Sequence, residues 1–314
     1  MRLLFILDPL DQLKTYKDTS IAIMRAAAAR GHTLFTAMQG DILLRHERVV
    51  VRASAFRFAE GASWYERDAA FETVPADFDA VLMRKDPPFD NEYLYSTYLL
   101  ELAVQQGAYV YNNPQSIRGW NEKLSIARFA EFAPPFLVSA NNTLIRDFLA
   151  THSDIIVKPL DGMGGSGVFR LRTDDANIGV ILETVTHFGE RTVMAQRYVP
   201  EIKAGDKRIL MIDGQPLPYA LARVPQGGET RGNLAAGGKG VAQPLSPRDL
   251  EIANRIGPVL REHGLFLVGL DVIGDYLTEV NVTSPTGMVE IAAQTDCDPA
   301  SLFMDALEST CASS

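Results

Sequence analysis

Residues 161–167 read DGMGGSG and contain a literal G-x-G-x-x-G at Gly162, Gly164 and Gly167. What surrounds these glycines constrains the fold more than the glycines do. A dinucleotide-binding turn needs a strand before it and a helix after it, because the pyrophosphate rests on the helix N-terminus. The strand is present as DIIVKPL, but the residues that follow, VFRLR, alternate apolar and basic at period two and predict a second strand. Glu183 stands about twenty residues on, where a ribose carboxylate would be expected, yet no helix starts at the loop to present it. No Gly-Lys-Ser/Thr closes the loop, which excludes a Walker A site. Strand, glycine loop, strand is the order of a flap over phosphates or of a ligand-free glycine hairpin. Lys158 favours the flap, since it sets a cation beside a flexible row of backbone N–H donors.

The flap belongs to the second of two textures. Over about the first 115 residues strands and helices alternate: RLLFIL, then DTSIAIMRAAAARG with an N-cap signature at Asp18 to Ser20 and Gly31 at its stop, then HTLFTA, FDAVLMRK, the helical NEYLYSTYLLELAVQQG, and AYVYNN. This pattern predicts a parallel α/β layer. DPLDQL follows its first strand, so no glycine-rich turn makes a Rossmann site there. From Trp120 onward, NEKLSIARFAEF and NNTLIRDFLATH predict short helices. Hairpin-like strands then dominate: DIIVKPL, GVFRLR, TVMAQRYV, KRILMIDG, QPLPYALARV, LVGLDVIG and LTEVNVT. The fold class expected is therefore α/β followed by α+β. Residues 226–240, QGGETRGNLAAGGKG, interrupt the ribbons with six of the chain's 24 glycines, a composition that by itself reads as a surface loop.

At 314 residues, with 46% hydrophobic and 22% charged side chains, the chain reads as an ordinary globular protein of two or three subdomains. The run LLFIL ends at Asp8-Pro9, too short to span a bilayer and without a cleavage site, so no membrane role is expected. A net charge of −9 argues against nucleic acid as a partner. It still allows an anionic small molecule, provided cations gather in one cleft. Cys297 and Cys311 give neither a disulfide framework nor a metal spacing; free thiols in a reducing cytoplasm are expected over a bridge.

In GLDVIGDYLTEVNVTSP, Asp271, Glu279 and Asn281 are hard oxygen ligands suited to Mg²⁺. Glu279 and Asn281 share a strand face. Asp271 joins them only if the ribbon pairs 271 with 279, which an odd-numbered loop centred on Asp275 would do. A two-residue Gly274-Asp275 turn would send Asp271 to the other face. The alternative is a solvated ribbon, but Asp271 stands between Leu270 and Val272, where an unpaired carboxylate is costly. Lys123, Lys158, Arg208 and Arg223 precede or interrupt apolar segments; each alone reads as a surface charge, and together they could neutralise a triphosphate. QRYVPE, from Gln196 to Glu201, looks like an interdomain hinge whose backbone could read an adenine edge, with Asp206 near ribose hydroxyls.

Four segments, LMRKDPPFD (82–90), HSDIIVKPLDGMGG (152–165), VPQGGETRGNLAAGG (224–238) and VGLDVIGDYLTEVNVTSPT (268–286), together resemble the ATP-grasp ligases, and within them the bacterial glutathione synthetase family. The resemblance runs through nearly the whole chain. It implies a substrate-binding (pre-ATP-grasp) domain at 1–122 and an ATP-grasp domain at 123–314. The latter divides into a middle lid subdomain with the glycine loop at 123–200 and a C-terminal subdomain with the metal site and the 226–240 loop at 201–314. It implies that Lys123 and Lys158 contact the α- and β-phosphates while Gly162, Met163, Gly164, Gly165, Ser166 and Gly167 close over ATP. Gln196, Tyr198 and Val199 would lie along the adenine, with Asp206 at the ribose and Arg223 also at the nucleotide. Asp271, Glu279 and Asn281 would hold two Mg²⁺ (Mn²⁺ able to substitute), and Arg208 and Arg231 would stabilise the transferring phosphoryl group. Asp18, Thr19, Ser20, Arg84 and Lys85 would help bind a dipeptide, with Ser284, Pro285 and Thr286 near the acceptor. The implied reaction joins γ-glutamylcysteine to glycine through an acyl phosphate, with ATP converted to ADP and phosphate. Residues 226–240 become a water-excluding lid that delivers Arg231. The family also implies a cytoplasmic homo-oligomer. Another carboxylate–amine ligase, such as a D-alanine–D-alanine ligase, and a nucleotide-binding module without turnover are the competing readings.

Overall fold

The computed structural model describes residues 1–61, 63–225 and 239–313. Its first sheet grows from the apolar run at the N-terminus: β1 (Arg2–Leu7) lies between β2 (Thr33–Met38) and β7 (Ala80–Met83), parallel to both. Between them come β3 (Ile42–Arg45), β4 (Arg48–Phe58), β5 (Tyr65–Arg67) and β6 (Phe71–Thr73), and β8 (Val110–Tyr111) closes the far edge parallel to β7. The layer is thus mixed rather than purely parallel, because β4 pairs antiparallel with β2, β3, β5 and β6. Helices α1 (Thr19–Ala29) and α2 (Asn91–Gln105) connect strands of this layer, and α3 (Pro114–Gly119) follows its last strand, β8. Asp18 and Asp90 cap α1 and α2 by accepting from Ile21 N and Tyr93 N, and Gly31 takes φ +78° just past α1.

The predicted helix after Trp120 is a 3₁₀ stretch at Leu124–Phe129. A second, wholly antiparallel sheet follows, built from β9 (Phe136–Ser139), β10 (Asp154–Pro159), β11 (Phe169–Arg172) and β12 (Val193–Arg197) in the order β11-β10-β12-β9. Helices α4 (Asn142–His152) and α5 (Ile178–Val185) cover one face through Ile145, Leu149, Leu182 and Val185. The third sheet, also antiparallel, runs β15-β14-β13-β16-β17, with β13 at Asp206–Ile212, β14 at Gln215–Val224, β15 at Lys239–Pro244, β16 at Leu267–Ile273 and β17 at Tyr276–Asn281. Helices α6 (Pro247–Glu262), α7 (Met288–Gln294) and α8 (Pro299–Ala312) complete the chain.

The alternation of β13 sets out the functional geometry. Ile209 and Met211 point into one core with Ile252 and Ile256 of α6 and with Phe129. Leu210 and Ile212 point the other way, into a core shared with Leu3 and Phe5 of β1, Met24 of α1 and Phe303 and Leu307 of α8. The C-terminal helix therefore returns to pack on the N-terminal layer. Asp206 and Arg208 continue the Leu210 face by the period of two, past the edge of that core. One face of one sheet is thus apolar where the layers meet and charged where they part. Among the described residues no helix is long and apolar enough to cross a membrane, and Cys297 and Cys311 are unpaired.

Candidate active site

The charged end of the third sheet is organised by register. Arg208 lies opposite Asp271, and Asp271 lies opposite Glu279, so a cation and two carboxylates form a row across β13, β16 and β17. Asp206 lies opposite Arg223 of β14. The expectation that the 271–279 pair needs an odd-numbered loop is corrected here. The turn is the two-residue Gly274-Asp275, with Gly274 at φ +57°, and the register shifts afterwards through a bulge that leaves Thr278 unpaired. The bulge returns Glu279 and Asn281 to the face of Asp271. Thr278 Oγ1 donates to Asp271 O at 3.1 Å across it.

Asp271 is 3% exposed and fully committed. Its Oδ1 and Oδ2 accept from Arg208 Nε and Nη2 at 2.8 Å each, and Oδ2 also accepts from Arg223 at 2.8 Å and from Asn281 Nδ2 at 3.1 Å. Burial would raise its pKa, but the two guanidiniums outweigh that and hold the carboxyl well below its ordinary range. At Glu279 burial is likewise outweighed, by the Lys123 and Lys158 ammoniums, and the pKa falls. Asp206 goes the opposite way: burial, reinforced by the charges of Asp271 and Glu279 and only partly offset by Arg223, pushes it up to about 6.

The second sheet supplies the opposing wall. Lys158, buried on β10, reaches Thr278 O at 3.3 Å and Glu279 Oε1 at 3.4 Å. Lys123 donates to Glu122 Oε1 at 2.5 Å and Gly162 O at 2.7 Å, with Glu279 Oε1 at 3.7 Å. It ties the glycine loop to the charged row. In the loop Gly164, Gly165 and Gly167 take φ of +64°, +78° and +69°, and a Cβ on Gly162 would come within 2.9 Å of Pro159 Cγ. Strand β11, not a helix, follows it. Farther along, the Arg170 guanidinium stacks 3.6 Å from the centroid of Tyr198 while pairing with Asp154. Gln196 Nε2 and Asp206 Oδ1 are buried without hydrogen-bond partners among the described residues.

These walls enclose a cavity of about 530 Å³. It is lined by Lys123, Lys158, Gly162, Met163, Gly164, Gly165, Gln196, Tyr198, Val199, Asp206, Arg208, Arg223, Asp271, Glu279, Asn281, Asp18, Ser284, Pro285 and Thr286, all singled out in the sequence. Ser166 and Gly167 lie outside the lining, between Gly165 and Val168, which are both part of it. Thr19, Ser20, Arg84 and Lys85 also stand behind the wall. Arg84 donates to Ser20 Oγ at 3.1 Å and to Pro285 O at 3.0 Å, fastening α1 to the 283–287 loop. Thr19 Oγ1 accepts from Met288 N at 3.4 Å, and Lys85 pairs with Asp8 at 2.8 Å. Arg231 and positions 226–238 of the expected lid lie outside the described residues. Gln12, Lys14, Lys17, Asp86, Glu122, Arg170 and Glu290 line the cavity without having been anticipated. Asp86 and Glu122 adjoin anticipated residues, but no local pattern marks Lys14, Lys17 or Glu290.

Around the charged row Lys123, Lys158, Arg208 and Arg223 face Glu122, Asp206, Asp271 and Glu279. A triphosphate chelated by divalent cations is close to neutral and can enter without upsetting that balance. Among the described residues no group of three or more His, Cys, Asp or Glu forms a protein-only metal cage. Two carboxylates and an amide on one face suit a hard cation that takes its remaining ligands from phosphate and water.

The sequence matches the family described as prokaryotic glutathione synthetase, N-terminal domain, over residues 1–118, and prokaryotic glutathione synthetase, ATP-grasp domain, over 122–296. The glutathione synthetase of Nitrosomonas europaea is 59% identical over 98% of both chains, and that of Pseudomonas aeruginosa 53% over 98% of this chain and 97% of its own. Among solved structures, D-cycloserine synthetase DcsG superposes with a TM-score of 0.67 at 16% identity over 98% of this chain and 99% of its own. A RimK domain ATP-grasp protein from Sphaerobacter thermophilus does so at 0.64 and 17% over 98% and 99%. These distant likenesses carry the fold alone. Enzymes of the matched family generally depend on a divalent metal. With both halves of the sequence matched in order and relatives more than half identical from end to end, the chain belongs to the prokaryotic glutathione synthetase family of ATP-dependent ligases.

Proposed function

We propose that this chain joins γ-glutamylcysteine to glycine, converting ATP to ADP and phosphate and giving glutathione through an acyl phosphate. The observation that carries this reading is the convergence of Lys123, Lys158, Arg208 and Arg223 on Asp271 and Glu279 beneath a glycine loop. Phosphoryl transfer asks little covalent chemistry of a protein and much positioning and charge neutralisation. In this reading Lys123 and Lys158 hold the α- and β-phosphates under Gly162 to Gly167, with Met163 and Ser166 in the same flap. Gln196, Tyr198 and Val199 flank the adenine, and Asp206 and Arg223 stand at the ribose side. Asp271, Glu279 and Asn281 would hold two Mg²⁺, or Mn²⁺, whose chemistry is to neutralise and polarise the phosphates. Arg208, with Arg231, stabilises charge on the transferring group as the dipeptide's cysteinyl carboxylate attacks the γ-phosphorus and ADP leaves. The glycine amine then attacks the acyl carbon and phosphate leaves. Asp18 and Ser284 to Thr286 stand at the amino-acid end, while Thr19, Ser20, Arg84 and Lys85 act from behind it by fixing that wall.

The same proposal divides the chain at 122/123, treats it as a homo-oligomer and places it in the cytoplasm. The test is an ADP-release assay with γ-glutamylcysteine in the presence and absence of glycine. Turnover that requires both amino-acid reactants is expected. ADP release with D-alanine instead, or tight ATP binding with no release, overturns it.

A further inference from the structure

Two of the three reactants in the reading above carry a primary ammonium, and nothing yet assigned receives it. Three acids line the amino-acid end of the cavity: Asp18, Asp86 and Glu290. Asp18 is occupied as the cap of α1, accepting from Ile21 N at 2.9 Å. Asp86 Oδ1 accepts from Ser284 Oγ at 2.5 Å. Glu290 differs. It stands on α7, four residues beyond Thr286, and its Oε2 is buried with no hydrogen-bond partner among the described residues. A buried polar atom left unsatisfied costs about 1–3 kcal/mol, and more when it carries charge. Glu290 lines the cavity, and neither of its carboxylate oxygens has a hydrogen-bond or ion-pair partner among the described residues, so a ligand there can bring the donor.

Its surroundings suit a zwitterion. Lys14 and Lys17 line the same end, on the loop between β1 and α1, and neither has an ion-pair partner among the described residues. Thr19 Oγ1, accepting from Met288 N, and Arg84, bridging Ser20 and Pro285, hold α1, the 283–287 loop and α7 together. An unpartnered carboxylate oxygen and two unpartnered ammoniums at one end of a cavity complement an amino acid's own charges. We propose that Glu290 binds the primary ammonium of an amino-acid substrate, an inference that rests on the ligase reading. Either γ-glutamylcysteine or glycine can supply that ammonium.

The test compares wild type, Glu290→Gln and Glu290→Ala in steady-state ADP release, each amino-acid reactant varied in turn, with calorimetric binding of a non-hydrolysable ATP analogue as control. Loss of a charge-assisted hydrogen bond should raise the KM of one reactant by at least about tenfold, with ATP-analogue affinity changed less than about twofold. A rise for γ-glutamylcysteine identifies the dipeptide's ammonium; glutaryl-cysteine, which lacks it, should then bind wild type and variants alike. A rise for glycine identifies the acceptor. Both KM values within about twofold of wild type, in a variant that still binds the analogue, overturn the role of Glu290 and leave the ligase reading standing. If wild type releases no ADP with this pair, the ligase reading fails. Calorimetric titration of the dipeptide and of glycine then decides the Glu290 role, with equal affinities for wild type and Glu290→Gln overturning it.

Discussion

The β16–β17 hairpin and the β10–β11 hairpin face the same cavity, one with buried charge and the other with exposed backbone. On the first, Asp271 is 3% exposed and every oxygen is bound; its direction follows from a bulge at Thr278 and a row of cross-strand partners. On the second, Met163 is 43% exposed and Gly164 has open space where a Cβ would stand. A site that must hold charge in one place needs over-determined side chains. A flap that must move over its ligand needs few contacts and residues tolerant of positive φ.

That contrast can be broken from either side. Asp271→Ala leaves Arg208 and Arg223 buried without their shared partner, and should destabilise the fold by about 3–5 kcal/mol, read from the urea midpoint at constant m. A loss below about 1 kcal/mol would show that the row is not held by its pairing. Glu279→Gln keeps the shape and removes the charge; kcat should fall at least about 100-fold. Near-normal turnover at low Mg²⁺ would remove Glu279 from the metal set. The flap should respond more mildly. Gly164→Ala meets no atom but sits at φ +64°, so a strain of about 1–2 kcal/mol should appear as a severalfold rise in the KM for ATP, with little change in urea midpoint. An equal loss of global stability would mean the loop is built like its opposite.

A further effect is in pH. Asp206 titrates near about 6 in the fold, above an unfolded carboxylate near about 3.9. Its contribution to stability is therefore full below about pH 4 and lost as pH rises to about 6. Asp206→Asn should flatten that segment of the stability–pH curve in urea titrations. An unchanged slope would place the titration elsewhere.

Much of this was legible locally. Period-two and period-3.6 patterns mark β1, β2, β10, β11, α1, α2 and α4, and the strand after Gly167 by itself excludes a dinucleotide turn. The candidate ATP-binding and metal residues converge almost completely on one cavity. Less legible were β3 to β6, which convert the parallel layer into a mixed one, and helices α5 to α8. Local signals exist for some of them, since β3 turns into β4 across His46-Glu47 and Ser246 and Asp298 cap α6 and α8; what no local signal gives is which sheet edge or core each element packs on.

The sequence by itself determined which residue types could meet a phosphate and which faces each strand offers, because alternation and capping are nearest-neighbour properties of the backbone. Only the tertiary structure decided that a two-residue turn and a bulge together set Glu279 opposite Asp271. Only it put Arg84 behind the wall as a fastening and left Glu290 with a buried oxygen that has no partner among the described residues. Register and burial depend on contacts between residues tens to hundreds of positions apart. A charged side chain takes its role from whichever partner packing brings within about 3 Å.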